Sequence, residues 1–140
     1  MFQPTREQVR QFFFDAWRKH QRGEPLMGLE AVAVDIIRMH PEYHATLDNP
    51  EGSLAREYAP EDGASNPFLH LSLHLAIEEQ LAIDQPPGIR AELARIAAQR
   101  GDRHDALHVV LECLGEAIWA GQRQGTGPDA AAYLECVRRR

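Results

Sequence analysis

The chain has 140 residues, 44% of them hydrophobic and 26% charged, and a formal charge of −6. That length can bury a full core without disulfides or a compulsory metal, and the composition is that of a soluble globular protein. The acidic balance argues against a general affinity for nucleic acid, which needs a basic face, but leaves open a nucleic-acid substrate held through a metal.

The first element expected is an amphipathic helix from Thr5, its N-cap, to about His20. Val9, Phe12, Phe13, Ala16 and Trp17 form its apolar stripe, with Arg10 among the polar positions. The aromatic run Phe12–Phe14 with Trp17 reads as core or as the face of a homodimer. Gln21 to Pro25 ends this helix, and a second follows from about Leu26 to Met39 with Leu29, Val32, Ile36 and Met39 inward. His40-Pro41 interrupts it, because the residue before a proline disfavours the helical region, and Pro41 can open a further turn through Glu42, Tyr43 and His44. Residues 48–65 shift to Pro, Gly, Asp, Glu and Ser without periodicity. A structureless stretch of that length is either a binding loop or lid, or a solvated connector.

Asn66 and Pro67 then cap and open a third helix, expected to reach about Asp84. It is apolar nearly all round and therefore central. Gln85-Pro86-Pro87-Gly88 breaks the chain before a fourth helix that stops at Gly101. Asp102 caps a fifth to about Gln122, with Leu107, Leu111, Leu114, Ile118 and Trp119 as core. A short sixth closes the chain after Gly125-Thr126-Gly127-Pro128. No segment alternates with period two. The fold expected is all-α, one domain over residues 1–140 built as a bundle of five to six helices. Met1 to Arg10 contains no apolar run and no window is long enough for a membrane span, so no membrane association and a cytoplasmic location are expected. Cys113 and Cys136 lack CxxC spacing and are expected as free thiols in a reducing compartment.

Six of the seven histidines fall in pairs four residues apart: His40 and His44, His70 and His74, His104 and His108. Random placement would give about 0.3 such pairs. The second and third pairs are each followed by a carboxylate at the next four-residue step, Glu78 and Glu112. Four residues is close to one helical turn, so such neighbours share a face. An i, i+4 histidine pair can ligate one metal, whereas the first and last members of a triplet stand roughly 12 Å apart along the axis and cannot. The candidate metal ligands are therefore His40, His44, His70, His74, Glu78, His104, His108 and Glu112, a set suited to iron, manganese or zinc. The rival reading of the same residues is a buried His-Glu hydrogen-bond network, since inward polar clusters need partners. Glu42 and Glu78 are the candidate general bases. His104-Asp105 also spells the dyad of the HD phosphohydrolases, and His20 is expected at the surface.

HPEYH at 40–44, NPFLHLSLHLAIEEQ at 66–80 and the H-x3-H-x3-E block at 104–112 resemble an uncharacterised proteobacterial family, domain of unknown function 1841, over essentially the whole chain. The family name implies no activity. A second similarity of pattern is to hemerythrin-like bundles, which hold two irons with HxxxE and HxxxH helices. His74 with Glu78 and His104 with His108 would take those parts, although the HxxxxD ending is missing. Three functional expectations follow. One is a metal-dependent hydrolase acting on a phosphate-containing small molecule or a nucleic acid. Another is a non-enzymatic iron or redox protein, and the third is an interaction module whose histidine cluster is structural.

Overall fold

The computed structural model describes residues 5–53 and 66–140. It is all-α, as the periodicity requires: among the described residues there is no strand. The helices are α1 (Arg6–Gln21), α2 (Leu29–Arg38), α3 (His44–Leu47), α4 (Pro50–Ser53), α5 (Pro67–Ile83), α6 (Ile89–Arg100), α7 (Arg103–Gln124) and α8 (Ala130–Arg138), with a 3-10 turn at Pro41–Tyr43. The two very short helices raise the number above the five or six expected. Proline opens both the 3-10 turn and α4, where its fixed φ and missing N–H suit the first position of a helical turn. Part of the expected 48–65 loop is thus helical at Pro50–Ser53, and residues 54–65 of it lie outside the described residues. The residues group into two compact units, Met1–Leu75 and Ala76–Arg140, divided within α5. No described helix is long and apolar enough to cross a membrane.

In the first unit α1 begins with a complete capping box. The Thr5 hydroxyl accepts from the Gln8 N–H at 3.1 Å, while the Gln8 side chain accepts from the Thr5 N–H at 2.7 Å. Phe13, Phe14, Ala16 and Trp17 are buried with Ala33, Val34, Ile36 and Ile37 of α2 and with Leu47, Phe68 and Leu71. Phe13, Phe14 and Trp17 are therefore core, with Phe12 partly buried against them. Two expectations fail here. Leu29 and Met39 are 45% and 39% exposed, because the inward stripe of α2 runs through Ala33, Val34, Ile36 and Ile37. Arg10, assigned to the polar face, is 2% exposed. Its guanidinium donates to the Ser53 carbonyl at 3.2 Å and lies 4.8 Å from the Phe68 ring centroid, so the charge is both hydrogen-bonded and set on an aromatic face. Lys19 and Glu30 join α1 to α2 at 2.6 Å, and the lysine, followed by the Met27 N–H, holds the Glu30 carboxyl below the usual range.

In the second unit α7 packs against both α6 and α8. Leu93 and Ile96 of α6, Val110 and Leu114 of α7, and Leu134 and Val137 of α8 are buried there. Asp84, in the left-handed region at φ 51°, accepts from the N–H groups of Arg90 at 3.0 Å and Gly88 at 3.4 Å, and these bonds, the Arg90 one foremost, hold its carboxyl below the usual range. Arg90 in turn donates to the Leu81 and Ala82 carbonyls at the end of α5. At Gly121 a Cβ would stand 2.7 Å from the Gly127 carbonyl oxygen, so the turn that ends α7 closes over a position only glycine fits. Cys113 and Cys136 form a disulfide between α7 and α8 instead of the two free thiols expected. Their sequence spacing carries no such signal, because the pairing is made by the packing of two helices. Trp119, expected in the core, is 59% exposed, with the Arg123 guanidinium 4.4 Å from its ring centroid.

Candidate metal centre

Three histidines of the first unit come together. The chain leaves α2 at Met39, and His40 then departs from the helical region, which the following proline disfavours, to φ −126°, ψ 67°. This turns its side chain inward, where it is 1% exposed. Its Nδ1 lies 2.8 Å from the Ile36 carbonyl oxygen. A carbonyl only accepts, so Nδ1 carries the proton and the lone pair of the neutral ring is on Nε2. Tyr43 stacks on the same ring at 5.5 Å with an interplanar angle of 10°.

Asn66 starts α5 by accepting the Phe68 and Leu69 N–H groups, at 3.0 and 3.2 Å, and so fixes the phase of the helix. His70 and His74 then follow one turn apart. Their ring centroids lie 4.8 Å and 4.7 Å from that of His40 and 4.8 Å from each other. His74 is fully buried and His70 half-buried. His70 Nε2 stands 3.1 Å from His40 Nε2. Two imidazole nitrogens bound to one ion at about 2.0–2.1 Å are roughly 2.9 Å apart at a right angle and roughly 3.3 Å apart at the tetrahedral angle. The observed separation lies between those values. It equally suits an N–H donated from His70 to His40.

The second unit holds the other pair. The Asp102 carboxylate accepts the Asp105 N–H at 3.2 Å and starts α7. His104 and His108 follow, both half-buried, with ring centroids 4.3 Å apart. Ring nitrogens of this pair lie within 4.8 Å of each other, as do ring nitrogens of His40 and His74 in the first unit. Asp105, the other half of the HD dyad, is exposed in the first turn of α7.

The remaining candidates are placed elsewhere. His44 lies against Trp17, 4.6 Å between ring centroids, and its Nε2 donates to the Ile37 carbonyl at 2.9 Å. Glu78 forms an ion pair with Arg103 at 3.1 Å. Glu112, expected on an inward face, is instead 64% exposed and pairs with Arg140 at 3.5 Å. A four-residue step turns about 400°, so two steps carry the carboxylate about 80° around the axis from the first histidine, and on α7 that direction is the polar side where Arg140 stands. Glu42 is exposed in the 3-10 turn, two residues after His40. His20 is exposed as expected and stacks on Trp17 at 5.4 Å. Tyr43 stands 5.9 Å from the His70 ring as well as against His40.

The family model for a domain of unknown function, DUF1841, matches residues 5–139. The chain belongs to the DUF1841 family. No curated protein and no solved structure matches it. The HPEYH and NPFLHLSLH segments that carry the resemblance are the segments that bring His40, His70 and His74 together.

Proposed function

We propose that this protein binds a divalent transition metal through its paired histidines. His40 and His74, with His70 beside them, are the ligands from the first unit, and His104 with His108 those from the second. The observation that supports this most directly is the state of His40, a buried imidazole whose Nδ1 proton is given to a backbone carbonyl and whose Nε2 faces another histidine at 3.1 Å. Anchoring the far nitrogen to a carbonyl is how proteins orient a metal-ligating histidine and raise its basicity. Iron, manganese and zinc all accept imidazole ligands.

The reaction this donor set suits is hydrolysis of a phosphate ester or phosphodiester, with a phosphate-containing small molecule or a nucleic acid as substrate. A bound metal lowers the pKa of its water and an adjacent carboxylate relays the proton. Glu42 takes that part in this reading, being solvent-facing and close in sequence to His40, while Glu78 is held by Arg103. A non-enzymatic iron protein is the second reading. The same imidazole pair supports it, and it predicts charge-transfer absorption on loading with iron in air, which a zinc or manganese hydrolase lacks.

The test is elemental analysis of tag-free protein beside His40→Ala, His74→Ala and His108→Ala. An equivalent lost in His40→Ala and His74→Ala identifies an ion held in the first unit, and an equivalent lost in His108→Ala one held in the second. Protein that is metal-free and takes up no added iron, manganese or zinc sinks the proposal and leaves a hydrogen-bonded cluster in a structural role. Metal uptake without hydrolysis of nucleotides or single-stranded nucleic acid removes the hydrolase reading alone.

A further inference from the structure

The two sulfurs of the disulfide sit in unlike surroundings. Cys113, near the middle of α7, is 1% exposed, whereas Cys136 of α8 is half-buried and lines an open cleft of about 420 Å³ with Glu116, Ala132, Glu135, Arg139 and Arg140. An Arg140 guanidinium nitrogen lies 3.9 Å from the Cys136 sulfur and a Glu116 carboxylate oxygen 3.6 Å from it, so the sulfur is bordered by charges of both signs.

We propose that this disulfide is a thiol-exchange site, and that Cys136 is the sulfur at which low-molecular-weight thiols enter. A thiolate coming through the cleft meets Cys136 Sγ, because Cys113 Sγ lies behind it in the interior. The incoming sulfur bonds to Cys136 Sγ, the Cys113–Cys136 bond breaks, and Cys113 leaves as a thiolate that takes a proton from solvent. The product is a mixed disulfide on Cys136. A second thiolate attacking the small-molecule sulfur then releases the oxidised small disulfide and leaves two thiols, so the protein gains the two electrons that the two thiols lose. In the reverse direction Cys113 resolves a mixed disulfide on Cys136 and restores the bridge.

Exchange at this place does not require the helix pair to come apart. Tyr133 of α8 donates to the Gln80 side chain at 2.7 Å, and Arg95 of α6 donates to the Val137 carbonyl at 3.2 Å. Leu134 and Val137 are buried. These contacts keep α8 docked when the sulfur bridge is open, which is what a reversible site needs and a purely structural clamp does not.

Cys113→Ser and Cys136→Ser proteins are incubated with oxidised glutathione under native conditions and followed by intact mass. Cys136 in the first variant is expected to be glutathionylated at least about tenfold faster than Cys113 in the second, the ratio following accessibility. Equal rates, faster reaction at Cys113, or no reaction at either sulfur overturns the proposal. Since either variant can lose its fold, the unaltered protein is also treated with excess reduced glutathione without denaturant and then alkylated. Two alkylated cysteines in protein with unchanged far-ultraviolet circular dichroism support exchange in the folded state. A disulfide that opens only after denaturant is added overturns it.

Discussion

Helices α5 and α7 carry the same His-x3-His-x3-Glu pattern and put it to different use. In α5 the middle histidine, His74, is fully buried and the glutamate is only 23% exposed beside Arg103. In α7 the two histidines are half-buried and the glutamate is 64% exposed beside Arg140. The difference is one of helix phase and surroundings. α5 is apolar nearly all round and has few positions at which a side chain meets water, while α7 keeps a polar side where Glu112 and Glu116 reach Arg140, just past the end of α8. A repeated motif therefore does not repeat a site, because each residue's role is set by what the rest of the helix must bury.

The comparison is broken most severely by making the same substitution on each helix. In metal-free protein His74→Ala leaves a hole in a closed interior and is expected to cost about 2–4 kcal/mol, in the range of large-to-small core changes. His108→Ala, half-buried, is expected to cost about 1 kcal/mol or less. Urea midpoints of the two variants measure this, and similar losses would mean that the two histidines are equally embedded. Metal binding should fail to follow stability: each variant is expected to lose the ion that its own histidine pair holds.

Opening the disulfide tests α7's dependence on its partner helix. Closing a loop across a sequence separation of 23 restricts the unfolded chain by about 3 kcal/mol at 25 °C. Reduction should therefore lower stability by about that amount and leave the helix content intact. Loss of the helical signal on reduction would show that α8 has no independent hold.

That hold is tested by Tyr133→Phe, which removes the bond to Gln80 and is expected to cost about 1 kcal/mol at neutral pH. Burial pushes the Tyr133 hydroxyl above its ordinary value of 10.0. For an acid with a raised folded pKa the folded state holds its proton more tightly. The stability contribution is thus full below pH 10 and falls as pH rises beyond it. Denaturant midpoints between pH 8 and pH 11 should decline in the parent and flatten in the variant.

Much of this arrangement was legible in the sequence. Thr5, Asn66 and Asp102 are N-caps in the structure as they read in the chain, because capping is local chemistry between neighbours. The proline rule placed the break at His40, and that break is what brings His40 to His70 and His74. Features that depend on distant residues were not legible. Arg10 is buried because Ser53 and Phe68 receive it, Cys113 meets Cys136 because α7 and α8 pack, and Leu29 and Met39 are exposed because α2 turns a neighbouring stripe inward. The histidine spacing marked residues whose rings do come together, but treating a four-residue step as a full turn ignored the drift that, on the polar side of α7, carries Glu112 outward.

The smallest effects sharpen the comparison of the two carboxylates. Glu78→Gln removes half of a partly shielded pair with Arg103 and is expected to cost about 0.5–1 kcal/mol, less at high salt. Glu112→Gln removes one of two glutamates facing Arg140, which keeps Glu116 at 3.5 Å, so its effect should stay within about 0.3 kcal/mol of zero. A metal ligand would behave otherwise. If Glu112→Gln lowered metal content while leaving stability unchanged, the exposed position would not be the one that matters in the loaded protein, and α7 would have to present that carboxylate to the ion. If it changes neither, the glutamates of the two repeats have diverged into two surface ion pairs, and only the histidines keep a common purpose.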